Sequence, residues 1–334
     1  MRSQSISIAF VYNGLASFVS RDLELLKSHF KVFPIECSSA LSFWKTFVGV
    51  YRSEVSVSWF ASKKSALAVL FSKLFNKKSI IITGGSMVLL ETPQKAREKG
   101  AFYPWTFRLC AEFSAKYADL LLPVSEYEAE GIRHFYPDSK VSLCYHGFDY
   151  TKFLPAGEKQ NIVLTVTQIN REYLIRKRLK DIVIAAKLLP QLKFVLVGAS
   201  EGETLTSLKS ISSPNVEFPG FVPFKELLAL YQRAAVYLQP STQEGFGCAI
   251  AEAMLCECTP VVSNVSAIPE VVGDCGIYLD EPITPEEIAA KVQLAMRKPK
   301  LGQQARQRVI EKFPLEKRKL ELLATIESIG EKSC

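Results

Sequence analysis

Two glutamates and the glycine-rich turn beside them are the residues of this sequence whose types and spacing best fit chemistry. Glu244 stands directly before Gly245-Phe246-Gly247, and Glu252 follows eight positions after Glu244. An apolar run at residues 235–238 predicts a buried strand before the turn, and good helix formers follow it. Backbone N–H groups at such a strand–turn–helix junction can hold an anion or a sugar hydroxyl. Both carboxylates are therefore expected to point into one cleft and to accept hydrogen bonds from hydroxyl groups.

The stretch from Pro240 to Val262 resembles the signature of retaining nucleotide-sugar glycosyltransferases of family 4, in which seven residues separate two glutamates. The resemblance implies an α/β chain with GT-B architecture, in which two doubly wound (Rossmann-like) domains face a central cleft. The alternative is an ordinary strand–turn–helix with solvated acids, because a glutamate early in a helix also complements the helix dipole.

The resemblance also implies what the signature would hold. Glu244 would accept hydrogen bonds from the hydroxyl groups of the donor sugar, and Glu252 would hold the ribose. Backbone amides of the turn and of the helix start would bind the same sugar: Phe246, Gly247, Cys248 and Ala249.

Two other positions resemble parts of the family's nucleotide site. Residues 215–222 resemble the loop that lies against the base, so backbone groups near Val222 would read the base edge. Gly14, after the first predicted strand, matches loosely a glycine that lets the donor phosphate or the acceptor approach the backbone. Residues 84–87, Gly-Gly-Ser-Met, form a second loop of this kind, where many relatives carry a histidine or an aspartate.

Cations that could hold a diphosphate follow the strand predicted at residues 162–166. The family places Gly-Arg directly after this strand and Lys-Gly a few residues later. Here Thr167-Gln168 occupies the first place, Lys177 keeps its place, and Arg178 replaces the second glycine. Arg171 is the predicted substitute for the missing arginine, because an arginine fork with a lysine suits a leaving diphosphate. A solvated basic loop is the alternative.

The resemblance implies transfer of a hexose with retention of configuration, with no cofactor and no essential metal. The departing diphosphate, stabilised by Lys177, Arg171 and helix amides, would take the proton of the acceptor on the same face. The sequence contains no Asp-x-Asp motif and only three histidines, so we expect no metal site. A nucleotide-sugar epimerase of the same fold and a non-catalytic nucleotide-sugar binder remain as alternatives.

Strand-like and helix-like segments alternate along all 334 residues, which indicates parallel sheets with helices on both faces. Proline and glycine interrupt the pattern at residues 153–158, which predicts a first, acceptor-side domain at 1–153 and a nucleotide-sugar domain at 154–312. A terminal helix within 313–334, with Leu320, Leu323 and Ile326 on its apolar side, would pack back on the first domain. Predicted strands include 55–59, 141–144, 194–197 and 261–262, and predicted helices include 126–135, 181–189 and 224–233.

Composition and charge suggest where the protein works. Residues 1–80 carry eleven Lys and Arg against four Asp and Glu, so their charge of +7 equals that of the whole chain. Aromatic residues are interleaved with these cations, so this part could rest on an anionic membrane and reach a lipid-linked or glycan acceptor. A merely soluble surface is the alternative, and no nucleic-acid partner is expected. Eight cysteines without zinc spacing and no visible signal peptide favour the cytoplasm, either free or peripheral at the inner face of the membrane.

Overall fold

The computed structural model describes residues 6–14, 16–37, 42–84 and 105–331, and within them the chain forms two compact units. The first unit comprises the described residues of 6–84, 105–147 and 316–331, and the second comprises residues 148–315. Each unit has one parallel β-sheet with α-helices, so the prediction of two Rossmann-like α/β domains is confirmed.

The sheet of the first unit has five parallel strands in the order β2-β1-β3-β4-β5. Its strands are β1 (Ser7–Tyr12), β2 (Lys31–Glu36), β3 (Val55–Trp59), β4 (Lys78–Thr83) and β5 (Leu120–Pro123). Its helices are α1 (Ser17–Lys27), α2 (Ser42–Tyr51), α3 (Lys63–Leu74), α4 (Trp105–Tyr117) and α5 (Glu126–Phe135). Strand β1 is buried along its whole length, as expected for an inner strand covered on both faces.

The sheet of the second unit has six parallel strands in the order β11-β10-β9-β6-β7-β8. Its strands are β6 (Gln160–Val166), β7 (Lys193–Val197), β8 (Val216–Gly220), β9 (Ala234–Gln239), β10 (Thr259–Ser263) and β11 (Ile277–Leu279). Its helices are α6 (Arg171–Arg176), α7 (Leu179–Lys187), α8 (Thr204–Ile211), α9 (Phe224–Arg233), α10 (Cys248–Leu255), α11 (Ile268–Val272), α12 (Pro285–Met296) and α13 (Lys300–Lys312). A last helix, α14 (Leu315–Gly330), follows.

The strand order of the second unit locates its ligand-binding edge. Counted from β6, the order is the 3-2-1-4-5-6 of dinucleotide-binding folds, and it reverses between the adjacent strands β6 and β9. Connections leave the two strands in opposite directions at such a switch point, which opens a crevice at their carboxyl ends. The connection that follows β6 carries Lys177, just after α6, and the loop after β9 carries Glu244.

Two predicted elements differ from the structure. Residues 141–144 do not form a strand; Val141 makes an isolated bridge to Leu121, and the Cys144 amide donates to the Pro123 carbonyl at 3.0 Å. Conversely, most of the segment predicted as a base-contacting loop is the edge strand β8. Its alternating half-buried and exposed residues, together with Pro219, give the weak signal typical of edge strands.

The terminal helix α14 belongs to the first unit from Glu316 onward. Arg318 donates to both carboxylate oxygens of Asp22 at 2.7 and 2.6 Å, and each side chain is 1% exposed. Leu323 and Ile326 are buried as predicted, whereas Leu320 is 60% exposed and Leu322 takes its place in the core. Two of the three residues predicted for the apolar side are therefore buried, and the third, Leu320, lies on the exposed side of the helix.

No helix among the described residues is long and apolar enough to cross a membrane. The seven cysteines in the described part of the chain are all free thiols. Burial raises the pKa of Cys256 to about 12 and that of Cys258 to about 11, so both thiols stay protonated and behave as small apolar core residues.

Candidate nucleotide-sugar site

Glu244 and Lys177 form a buried ion pair at the switch point of the second unit. The Lys177 Nζ donates to Glu244 Oε1, and the two side chains are 9% and 11% exposed. Lys177 follows α6 in the connection after β6, and Glu244 lies in the loop between β9 and α10. The two residues that the sequence assigned to diphosphate and sugar are thus brought together at adjacent strand ends.

A neutral hydrogen-bond network fixes the orientation of the Glu244 carboxylate. Gln239 Nε2 and the Ser241 hydroxyl both donate to Glu244 Oε1 at 2.9 Å, and the Tyr237 hydroxyl donates to Gln239 Oε1 at 2.9 Å. With Lys177, three donors converge on Oε1, while no described residue donates to Oε2. The second carboxylate oxygen is therefore held in place and left for another donor, such as a hydroxyl of a ligand.

The network residues Tyr237, Gln239 and Ser241 were not predicted from the sequence. All three belong to β9 or to the turn after it, and each has 1% of its surface exposed or less. A polar residue at the carboxyl end of an apolar strand is the signal that could have identified Gln239, since a buried amide needs partners.

Burial lowers the pKa of Lys177 below its ordinary value, and the Glu244 carboxylate opposes this effect. The Cys248 thiol lies near enough to act in the same direction as Glu244. Because Cys248 is the first residue of α10, the start of this helix also lies beside the ion pair. A cation, a carboxylate and a helix N-terminus therefore share one small region.

The turn at residues 245–247 requires glycine at position 247, because of its backbone conformation and the close approach of Ile250. Gly247 has φ +102°, which favours glycine, and a Cβ there would lie 2.9 Å from Ile250 Cδ1. Phe246 is 3% exposed and packs on Phe148 and Phe313, with ring centroids 5.9 and 5.2 Å away. Phe246 is thus a core anchor, so only its backbone amide fits the predicted role. Cys248 and Ala249 are the first two residues of α10.

Glu252 lies on the same helix and forms a second polar contact. The Tyr231 hydroxyl donates to Glu252 Oε2 at 3.2 Å, and Glu252 is 8% exposed. Burial raises the pKa of Tyr231 well above its ordinary value, and Glu252 adds to the rise, so this hydroxyl stays a donor. Tyr231 in turn packs against Tyr237, with ring centroids 6.2 Å apart. The surroundings of the two glutamates are thus linked through a pair of buried tyrosines.

Arg171 and Arg176 are the first and last residues of the short helix α6. Arg171 is exposed at the first position of α6 and makes no ion pair within the described chain. Arg176 is 7% exposed, directly precedes Lys177, donates to Glu172 at 2.7 Å and lies over the Tyr173 ring. Arg176 therefore places a second buried positive charge next to Lys177, and the role of Arg171 as a phosphate ligand stays a prediction.

Arg178 occupies the position where the resemblance described above implies a glycine. Its backbone has φ +47° and ψ +44°, the left-handed conformation that glycine adopts at least cost. The side chain donates to both oxygens of Glu281 at 3.1 and 3.2 Å and lies 3.8 Å from Asp181. The turn that places Lys177 thus keeps its shape, with ion pairs compensating the strained residue.

Other predicted positions have the following places. Gly14 is exposed in the first unit with φ +75°, and nothing lies within 4 Å of an added Cβ, so its backbone conformation rather than a close approach requires glycine. Val222 is half-buried between β8 and α9, beside Phe221, which is 79% exposed.

Gly85, Ser86 and Met87 of the second loop lie outside the described residues. In the part that is described, no cluster of three His, Cys, Asp or Glu side chains could hold a metal ion.

Comparison with known proteins finds a family match over most of the second unit. Residues 149–312, just under half of the chain, match the family Glycosyl transferases group 1. The chain is 46% identical to the Escherichia coli O-antigen chain mannosyltransferase B over 65 residues, 20% of this chain and 17% of that protein. It is 26% identical to the Salmonella typhimurium O-antigen chain mannosyltransferase RfbU over 64% of both chains. The chain thus spans less than two thirds of the length of either relative.

Among solved structures, the sucrose-phosphate synthase from Thermosynechococcus elongatus has a TM-score of 0.80 at 17% identity, covering 98% of this chain and 100% of that one. At this identity the likeness shows the fold alone, which is that of GT-B glycosyltransferases.

Proposed function

We propose that the protein is a glycosyltransferase that transfers a hexose from a nucleotide-sugar donor bound on the second unit. The observation that carries this proposal is the Glu244 carboxylate, with one oxygen held by three protein donors and the other without a protein donor in the described chain. It lies at the switch point of a dinucleotide-type sheet, beside a buried lysine and a helix start. The match of residues 149–312 to a glycosyltransferase family supports the same reading.

In this proposal Lys177 binds the diphosphate. An ammonium group has three N–H donors, of which one is directed at Glu244, so two remain for phosphate oxygens. Positive charge at this place stabilises the diphosphate as it departs, and losing one such group typically costs about 3–4 kcal/mol of transition-state stabilisation. Arg171 would reach the phosphates from the exposed start of α6.

The proposed reaction proceeds with retention and without a metal ion. A hydroxyl oxygen of the acceptor forms a bond to the anomeric carbon while the bond from that carbon to the diphosphate oxygen breaks. The bonding electrons leave with the diphosphate, which takes the proton of the acceptor hydroxyl on the same face. Glu244 Oε2 and the amides of residues 246–249 would hold the sugar hydroxyls, and Glu252, oriented by Tyr231, would hold the ribose. Activity that survives excess EDTA and a product of unchanged anomeric configuration are the expected results.

The mannosyltransferase names of the two curated relatives favour mannose as the first sugar to test. Thermal stabilisation by UDP-, GDP- and ADP-sugars, including GDP-mannose, identifies the donor, because a ligand that binds the folded state raises the melting temperature. Sugar transfer to acceptors from a cell extract, or slow hydrolysis of the donor, is expected next. Release of an epimerised sugar would favour an epimerase, and binding without any turnover would favour a non-catalytic binder.

A second part of the proposal concerns the partner of the first unit. Trp44, Val48 and Tyr51 are 62%, 40% and 63% exposed and recur on one side of α2. Leu70 and Leu74, 49% and 68% exposed, do the same on α3. Aromatic contacts such as Phe47 with Phe71, 5.3 Å between ring centroids, pack α2 against α3, so the two helices are neighbours. We call these five exposed residues the apolar face of the first unit.

The exposed cations Lys45, Arg52 and Lys63 belong to the same two helices or their ends. An apolar face among cations has the chemistry that an anionic bilayer attracts, so we propose that this face rests on such a membrane. Sedimentation with phosphatidylglycerol vesicles at low salt is the test. The protein should co-sediment, and replacing Trp44 and Tyr51 by serine should release it. Equal pelleting with neutral vesicles, or none with anionic ones, would contradict the proposal.

A further inference from the structure

Gln243 is a buried polar side chain whose hydrogen bonds are missing. It is 1% exposed, and neither Nε2 nor Oε1 of its amide has a partner in the described structure. A buried amide without partners destabilises a fold, so native proteins rarely keep one without a reason. The residue directly precedes Glu244 in the loop between β9 and α10.

The loop around Gln243 is well fixed, so loose packing does not explain the missing bonds. The Thr242 amide donates to the Arg176 carbonyl at 2.8 Å, and the Ser263 hydroxyl donates to the Ser241 carbonyl. The neighbouring polar side chains of Ser241 and Glu244 both have hydrogen bonds. Gln243 is thus a buried side chain of a well-fixed loop whose two polar atoms both lack a partner, and it directly precedes Glu244, whose Oε2 also has no donor in the described chain.

We infer that the Gln243 amide turns toward the donor sugar when this sugar binds, and selects it by pairing with two of its neighbouring hydroxyl groups. The inference rests on the proposed function, since it places the sugar beside Glu244. An amide offers N–H donors and a carbonyl acceptor side by side. A vicinal diol fits both, because one hydroxyl can donate to Oε1 while the other accepts from Nε2. A phosphate offers only acceptors and would leave Oε1 unsatisfied, and the diol of the ribose is assigned to Glu252, so the transferred sugar is the matching part of the donor.

The variant Gln243→Leu tests the inference, because leucine is similar in size and has no polar atoms. In the absence of ligand we expect it to melt at the same temperature as the wild type or higher, since it removes a buried amide without partners. Its affinity for the nucleotide sugar should fall by about tenfold to a hundredfold, while its affinity for the free nucleoside diphosphate stays unchanged. The donor is the one identified by thermal stabilisation, and titration calorimetry measures both affinities.

Gln232→Leu is the matched control. Gln232 lies on α9, and its Nε2 donates to the Leu154 carbonyl at 2.8 Å. Because this amide has a partner, the variant should melt no higher than the wild type and should bind the donor normally.

Three results would overturn the inference. They are a lowered melting temperature of Gln243→Leu without ligand, equal weakening of sugar nucleotide and free nucleotide, and unchanged affinity for both. If the wild type itself binds no nucleotide sugar, the proposed function fails instead, so the two failures can be distinguished.

Discussion

Single residues carry most of the chemistry, and here the central one is Lys177. Because burial lowers its pKa, this ammonium loses its proton at a lower pH than an exposed lysine does. Only the protonated form can bind a diphosphate. Affinity of the free protein for a nucleoside diphosphate is therefore expected to be highest at neutral pH and to fall as the pH rises, before the ordinary lysine pKa is reached.

Lys177→Arg and Lys177→Met separate this effect from general unfolding at alkaline pH. Arginine keeps its charge throughout the accessible range, so the alkaline fall should move to higher pH or vanish in the Lys177→Arg variant. The Lys177→Met variant should bind weakly at every pH. Titration calorimetry from neutral to alkaline pH gives the profile, and an identical profile for the wild type and Lys177→Arg would show that another group titrates.

At the scale of residues, the sequence identified the two glutamates of the signature but not the side chains that surround them. The spacing of the signature identified Glu244 and Glu252, and the structure gives each of them a buried donor. Their neutral partners Gln239 and Tyr231 could not be predicted, because spacing along the chain does not reveal which polar side chains converge across strands. Arg176 was missed because its burial beside Lys177 depends on how the short helix α6 packs.

At the scale of elements, the left-handed residue Arg178 sets the turn between α6 and α7 that places Lys177. Replacement by glycine or alanine removes the same ion pairs with Glu281 and Asp181. Only glycine relieves the backbone, whose left-handed conformation costs a residue with a Cβ about 1 kcal/mol. Arg178→Gly is therefore expected to be about 1 kcal/mol more stable than Arg178→Ala, as measured by urea unfolding. Equal stabilities would show that the backbone there is not strained.

Most elements could be predicted, and the exceptions have physical reasons. Helices 126–135 and 224–233 match α5 and α9, since Ser125 caps the first and Pro223 precedes the second. The strand expected at 141–144 is reduced to an isolated bridge at Val141, although the Ser142 and Cys144 amides still donate to carbonyls of β5 at 3.0 Å. Helices α2, α4, α8, α12 and α13 were not predicted, although the Thr284 cap and Pro285 at the first position of α12 are a recognisable helix start.

At the scale of the whole molecule, the chain leaves its first unit after residue 147 and supplies α14 to it again near its end. The buried pair between Arg318 and Asp22 fixes this helix, and Arg318 also donates to the carbonyls of Cys144 and Tyr145 at 3.0 and 2.7 Å. Removing one partner leaves a buried charge uncompensated. Arg318→Met is therefore expected to lower the free energy of unfolding by about 3–5 kcal/mol.

Lys319→Met on the same helix is the matched control. Lys319 lies 3.4 Å from Glu316 in an exposed pair, so its loss should change stability by less than about 1 kcal/mol. Adding Asp22→Asn to Arg318→Met removes the unpaired charge and should recover part of the lost stability. Chemical denaturation measures the free energy of unfolding of each variant. Equal losses in Arg318→Met and Lys319→Met would show that the buried pair does not anchor the helix.

The most direct test of the account is calorimetric titration of the wild type, Glu244→Gln and Glu252→Gln with the stabilising nucleotide sugar. Glu316→Gln, whose exposed carboxylate pairs with Lys319 on α14, serves as the control. The account predicts saturable binding to the wild type and the control. It also predicts a loss of about a hundredfold or more in each signature variant, with melting curves that verify folding. Wild-type affinity in both Glu244→Gln and Glu252→Gln would contradict a sugar-nucleotide site at this switch point.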